Sequence, residues 1–341
     1  MHTRSIRAMG AAFGAALILG LGLGATAPAQ AVEVNTNKDL ITVRAGVLKF
    51  GTVNWELNVI KEHHLDEKYG INLEITGLTG KNPSAVAIQA GAVDIIVSDY
   101  IWVSRLRSDG ADFVFVPHSL AVGGLIVRED SGINTIADLE GRKLGIAGGP
   151  VDKSWVLLQA YYKKTTGRDL KPSVKPQFGA PPLLNELTTT GELPAVLNFW
   201  HYNARLKGAG HRQIIGVAEI LKELGVEGEA PLLGWVFHEA WANENPKAIN
   251  GFLRASRDAK QILRDSDAEW DRLRSVMKAP DDAIFVSLRT DYRKGIVSSM
   301  GPESEATAAK VFAILAEIGG EQLVGSSSTL APNTFWANVG F

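Results

Sequence analysis

The chain has 341 residues, with 35 lysines and arginines against 37 aspartates and glutamates, and it contains no cysteine. The lack of cysteine excludes disulfide scaffolds, thiolate metal sites and cysteine nucleophiles. The slightly acidic balance argues against a nucleic-acid partner. The length suits two domains of ordinary size, which can bury enough apolar surface to fold without covalent staples.

Residues 1–31 carry the features of an export signal. Arg4 and Arg7 precede an apolar run rich in alanine and glycine, which ends near the small-x-small tripeptide Ala29-Gln30-Ala31. A membrane anchor is the alternative, but the composition of the run and the cleavage-type sequence favour a signal peptide removed after Ala31. The mature chain would carry 33 basic and 37 acidic residues, a formal charge of −4, and we expect it in the periplasm.

Strands and helices alternate along the first 240 residues of the chain. This alternation predicts open, parallel-type sheets, which bind ligands beyond the carboxyl ends of their strands. The main predicted elements, in chain order, are strand 41–48, helix 54–68, strand 71–75, helix 83–90 with Asn82 as its N-cap, strand 93–97, strand 144–147, a helix capped by Asp152, helix 181–189, strand 195–198, helix 202–208, strand 232–237 and a mainly helical region from 246 to 317.

Four segments stand out by their order and spacing: the opening strand, loop and helix at 43–65, the helix, glycine and hydrophobic-Asp strand at 87–94, the ADLEGRKLG-containing segment at 136–145, and the glycine-led strand at 191–196. Together they resemble the periplasmic binding components of nitrate, sulfonate and taurine type ABC importers. Pro194 departs from the family pattern, which commonly has aspartate there. The resemblance runs from about Ile41 to Phe252.

The resemblance implies an α/β fold of two doubly wound lobes, joined by two crossovers around a ligand cleft. Lobe 1 would comprise residues 32–122 plus 234–341, and lobe 2 residues 123–233. The hinges would lie near residues 122–124 and 232–234, where glycines suit a closure motion. The expected partners are a small anionic ligand and an ABC permease at the inner membrane, with the protein itself a monomer.

The loops that follow the predicted strands are rich in lysine and tryptophan. Each of three loops joins a lysine to a helix start, where unpaired N–H groups and the helix dipole favour an anion. Tryptophans in such loops also pack between helix and sheet in many proteins, so a structural role is the alternative for each of them. The candidate ligand-binding residues are Lys49, Asn54, Trp55, Lys81, Asn82, Ser98, Asp99, Trp102, Lys153, Ser154, Trp155, Trp200, His201 and Trp235.

Aromatic walls with scattered cations favour a planar polyanion. Pyrroloquinoline quinone fits this description, and a small sulfonate, taurine or nitrate is the alternative. Lys153, beside a helix start, is open to two interpretations: an ordinary ion pair, or an amine that adds reversibly to a ligand carbonyl. No cofactor is expected beyond the quinone as a bound ligand.

Two further functions remain open from the residues. Relatives of this fold include a thiamine-pyrimidine synthase. Enzymes of that type use a cysteine-rich iron motif, which this chain cannot form because it has no cysteine. No Walker loop, nucleophile elbow or His-Glu-x-x-His motif occurs, so we expect neither an enzyme nor a metal site. The other alternative is a periplasmic carrier that delivers a cofactor to a dehydrogenase.

Overall fold

The computed structural model describes residues 40–339, which form two five-stranded sheets flanked by helices. This arrangement confirms the predicted two-lobed α/β fold. The predicted signal peptide and its cleavage point lie outside the described residues. Within residues 40–339, no helix combines the length and apolarity that crossing a bilayer requires.

The first sheet has the order β2-β1-β3-β10-β4. Its strands combine buried apolar residues with polar ones, and the last of them along the chain has four consecutive buried positions. β1 pairs in parallel with β2 and β3, and β10 runs antiparallel to β3 and β4. Its strands are β1 (Ile41–Leu48), β2 (Ile71–Leu78), β3 (Ile95–Asp99), β4 (Phe113–Ser119) and β10 (Leu233–His238).

The second sheet repeats this topology, with the order β7-β6-β8-β5-β9. β6 pairs in parallel with β7 and β8, and β5 runs antiparallel to β8 and β9. Both sheets are therefore mixed, which corrects the prediction of parallel-type sheets, because each contains one strand that has just arrived from the other sheet. Its strands are β5 (Gly124–Val127), β6 (Lys143–Ala147), β7 (Lys175–Gly179), β8 (Ala195–Asn198) and β9 (Arg212–Gly216).

The chain crosses between the sheets twice, at 120–123 and again between β9 and β10. The first crossing depends on Gly123, whose φ is +110° and whose missing side chain admits the second sheet. A Cβ there would lie 2.1 Å from the carbonyl oxygen of Asn198. Only glycine satisfies both conditions. The lobe limits and the closure motion remain predictions.

Helices cover both faces of each sheet. The predicted helix 54–68 is broken into two, because His64 adopts a left-handed conformation with φ 50°. The helices are α1 (Val53–Glu62), α2 (Leu65–Lys68), α3 (Lys81–Gln89), α4 (Tyr100–Ser108), α5 (Lys153–Thr166), α6 (Leu170–Ser173), α7 (Pro181–Thr189), α8 (Trp200–Gly208), α9 (Val217–Glu223), α10 (Glu239–Glu244), α11 (Pro246–Asp265), α12 (Asp267–Met277), α13 (Asp282–Lys294) and α14 (Glu305–Val324).

The last two helices tie the two sheets together. α14 packs on α4 beside the first sheet and on α5 beside the second. α13 packs on α8 so closely that a Cβ on Gly208 would lie 2.7 Å from the Cα of Ile284. Lys207 and Asp291 form an ion pair at the same junction. The sheets therefore meet through helix packing as well as through the two crossings.

Candidate ligand-binding site

The carboxyl ends of the parallel strands in the two sheets are joined by one ion pair. Asp99 ends β3 in the first sheet, and Lys153 begins α5, which follows β6 of the second sheet. The Nζ atom of Lys153 lies 2.8 Å from Oδ2 of Asp99. Asp99 is 6% exposed and the Lys153 side chain 20%, so the pair is largely shielded from water. Two residues predicted for the site are thereby brought together across the two lobes.

Both acidic groups at this junction serve as helix N-caps. Oδ1 of Asp99 accepts the backbone N–H of Trp102 at 2.9 Å, which caps α4. Oδ1 of Asp152 accepts the N–H of Ser154 at 3.0 Å, which caps α5 as the sequence predicted. Such caps satisfy donors that would otherwise be unpaired, and they hold the carboxylates in place.

Lys81 is the second cation of the junction. It begins α3 beside the first sheet, and its Nζ lies 6.0 Å from the ring centre of Phe199, which precedes α8 of the second lobe. Burial acts to raise the pKa of Asp99, but the charges of Lys153 and Lys81 outweigh it and hold that pKa below its usual value. Burial raises the pKa of Asp152 in spite of the same two lysines. Asp152 and Phe199 were not among the predicted ligand-binding residues. Asp152 was predicted only as a helix cap, but its position next to Lys153 could have marked it as a site residue.

Four of the five candidate tryptophans are core residues. Trp55, Trp155, Trp200 and Trp235 are each at most 9% exposed. Trp55 and Trp200 meet edge to face at 5.9 Å, so their rings pack on each other across the two lobes. Trp102 is partly exposed and packs on Phe113 at 5.4 Å. The flat aromatic walls expected for a planar ligand are therefore replaced by internal packing.

Trp235 belongs to a buried polar network inside the first lobe. Its indole N–H donates to Ser256 Oγ at 3.1 Å, and Ser256 in turn donates to Glu56 at 2.5 Å. Lys260 pairs with the other oxygen of Glu56 and lies 2.8 Å from Nδ1 of His118. This network was not predicted, because its members are far apart in the chain.

The remaining candidates lie at the edge of the junction or support its loops. The Asn54 side-chain amide donates to the carbonyls of Leu48 and Gly51, both at 2.8 Å, so it braces the loop after β1. The exposed Lys49 lays its stem over Gly77, where a Cβ would lie 2.9 Å from the lysine Cγ. Asn82 is exposed on the first turn of α3, and the helix is capped by Gly80 and not by Asn82 as predicted.

Two further candidates adjoin the ion pair in the chain, and His201 is the last candidate. Ser98 is half-buried at the end of β3, opposite Gly234, and Ser154 is buried in the first turn of α5. Burial, together with the nearby charge of Arg205, lowers the pKa of His201 to about 3. His201 is therefore neutral at physiological pH. Among residues 40–339, no group of three or more acidic or histidine side chains is placed to hold a metal ion.

A family model described as NMT1/THI5 like matches residues 61–269, more than half of the chain. The protein belongs to this family. No curated protein sequence matches the chain.

Solved structures share the fold at low sequence identity. The alkanesulfonate-binding protein SsuA from Xanthomonas axonopodis pv. citri, described as bound to MOPS, is 17% identical over 87% of this chain and 98% of its own, with a TM-score of 0.66. The periplasmic aliphatic sulphonate binding protein SsuA from Escherichia coli is 18% identical over 86% of this chain and 92% of its own, with a TM-score of 0.69. A desulfurization enzyme, DSZB, is 15% identical over 86% of this chain and 97% of its own, with a TM-score of 0.56.

These likenesses bear on the predicted ligand. The family match supports the nitrate, sulfonate and taurine type of binding protein, and nothing in it supports pyrroloquinoline quinone. The buried tryptophans remove the structural argument for the quinone.

Proposed function

We propose that this protein is the periplasmic ligand-binding component of an ABC importer, and that it captures a small sulfonate where the two sheets face each other. The observation that carries the proposal is that Lys153 and Lys81, one from each lobe, both lie near Asp99 and Asp152 at the carboxyl ends of the sheets. A pocket for a small sulfonate needs only a few convergent donors, which these lysines and the starts of α3 and α5 supply.

The comparisons support the same proposal. The two SsuA proteins named above are sulfonate-binding proteins by their descriptions, and they share this fold over most of their length. The described part of the chain has no membrane-spanning helix, and the leader predicted from residues 1–31 would deliver the mature chain to the periplasm. Delivery to a permease completes the proposal. A monomer with no resident cofactor is part of it.

We propose no catalytic role. The chain has no cysteine. The buried network of polar side chains around Glu56 and Lys260 is enclosed in the first lobe. The DSZB likeness, at 15% identity, concerns the fold alone.

The test is titration calorimetry on the mature protein, residues 32–341, with propane-1-sulfonate, taurine, nitrate and pyrroloquinoline quinone. We expect at least one sulfonate to bind with micromolar affinity, and Lys153→Ala to weaken it roughly tenfold or more. The control is Lys163→Ala, on the same helix, where an exposed lysine pairs with Asp169 and should leave the affinity unchanged. Binding of the quinone alone, or equal affinity in both variants, would overturn the proposal.

A further inference from the structure

Two acids lie beside the two lysines of the interlobe junction. Each lobe contributes one acid and one base: Asp99 and Lys81 from the first, Asp152 and Lys153 from the second. His201 adds no charge, because burial keeps it neutral. A site built only for anions has no need of the two buried carboxylates.

The acids and the bases differ in freedom of movement. Asp99 and Asp152 are fixed by their hydrogen bonds to the first turns of α4 and α5. Lys153 and Lys81 carry their ammonium groups on flexible four-carbon stems. A ligand anion that draws Lys153 toward itself therefore leaves the carboxylate of Asp99 where it is.

A buried carboxylate without a partner is unfavourable. Asp99 is 6% exposed, so water cannot replace the ammonium of Lys153 at full strength. A ligand bearing a sulfonate alone would break the ion pair and leave Asp99 without a directly bonded cation, because Lys81 acts on it only through its charge. A ligand that also bears a cation would restore a partner to Asp99 while its anion engages the lysines.

The geometry points to a zwitterionic ligand, with Asp99 as the residue that selects for its cationic group. This inference rests on the proposed function, since it describes the ligand of the same site. The Asp99–Lys153 pair then has two roles: it joins the lobes at 2.8 Å before the ligand arrives, and it is exchanged for two ligand pairs when the ligand binds.

Two pairs of nearly isosteric ligands test the inference by titration calorimetry on the mature protein. Taurine and propane-1-sulfonate differ by an ammonium in place of a methyl group, and so do β-alanine and butyrate. We expect the zwitterion of a pair to bind roughly tenfold or more tightly than its partner. In Asp99→Asn we expect this ratio to fall to about threefold or less, because the amide still accepts the cap hydrogen bond but carries no charge.

Asp130→Asn is the matched control, since Asp130 is an exposed aspartate paired with Arg128, and it should retain the wild-type ratio. Asp99→Ser, which also keeps a cap acceptor, replaces Asp99→Asn if that variant does not give a native circular dichroism spectrum. If the sulfonates fail to bind but β-alanine is preferred over butyrate, the sulfonate proposal falls and the inference stands. Equal binding within the pairs, an unchanged ratio in the Asp99 variant, or no binding of all four compounds overturns the inference.

Discussion

Removing the ammonium of Lys260 should strongly destabilise the first lobe. Glu56 is fully buried, and its two oxygens are bound by Lys260 and by Ser256, with the Tyr292 hydroxyl at 3.3 Å. Lys260→Met keeps most of the side-chain volume but leaves a buried carboxylate without its charge partner. Losing one member of a buried ion pair costs about 3–5 kcal/mol. For a chain of this size that is a fall in melting temperature of roughly 6–10 °C.

The loss should depend on pH. In the wild type, burial acts to raise the pKa of Glu56, but the charge of Lys260 and the hydrogen bonds from Lys260 and Ser256 hold that pKa below its usual value. The pair therefore stabilises the fold above the usual carboxyl pKa, and this stability is lost as the pH falls through the lowered pKa. Without Lys260 the effect of burial is left largely unopposed, and the pKa of Glu56 rises. His118, whose pKa burial and Lys260 lower to about 3, also becomes free to take up a proton 3.7 Å from Glu56. Both changes make the variant's loss of unfolding free energy, relative to the wild type, smaller at pH 5 than at pH 8.

The assay is thermal and urea unfolding of the mature protein at the two pH values, followed by tryptophan fluorescence. Lys247→Met is the control, because this lysine is exposed on the same helix, and its effect should stay within about 0.5 kcal/mol. The double variant Glu56→Gln with Lys260→Met should lose less than the two single variants together. The reasoning would be refuted if Lys260→Met lost no more unfolding free energy than the control, or if its loss did not change between pH 5 and pH 8.

Two further stability predictions follow from backbone packing and capping. Gly208→Ala places a Cβ 2.7 Å from the Cα of Ile284, so we expect a loss of about 1–3 kcal/mol in urea unfolding, whereas Gly149→Ala, with open space around it, should change little. Asp281→Ala removes the acceptor of the Ile284 N–H at the start of α13, so we expect a loss of about 1 kcal/mol, which Asp281→Ser should largely restore. The packing account would be contradicted if Gly208→Ala left the unfolding free energy unchanged. The capping account would be contradicted if Asp281→Ala were as stable as Asp281→Ser.

Much of the local structure could be predicted because it depends on short-range physics. The strands at 41–48 and 195–198 are mainly apolar segments between turn signals, and both were predicted with their observed ends. Asp152 was predicted as a cap from its position before a helix, and the structure confirms it. Asn82 failed as a cap because the helix begins two residues earlier than predicted, at Lys81 after Gly80.

The sequence by itself determined that the chain alternates strands and helices and that lysines and tryptophans stand in the loops after the strands. It could not determine which of these side chains face a ligand. The partner of Lys153 is Asp99, on a strand of the other sheet, and the partner of Glu56 is Lys260, 204 residues away. Only the tertiary structure decides such pairings, because burial and charge act through space and not along the chain. For the same reason four candidate tryptophans are buried in aromatic and apolar packing, two of them against each other between the lobes.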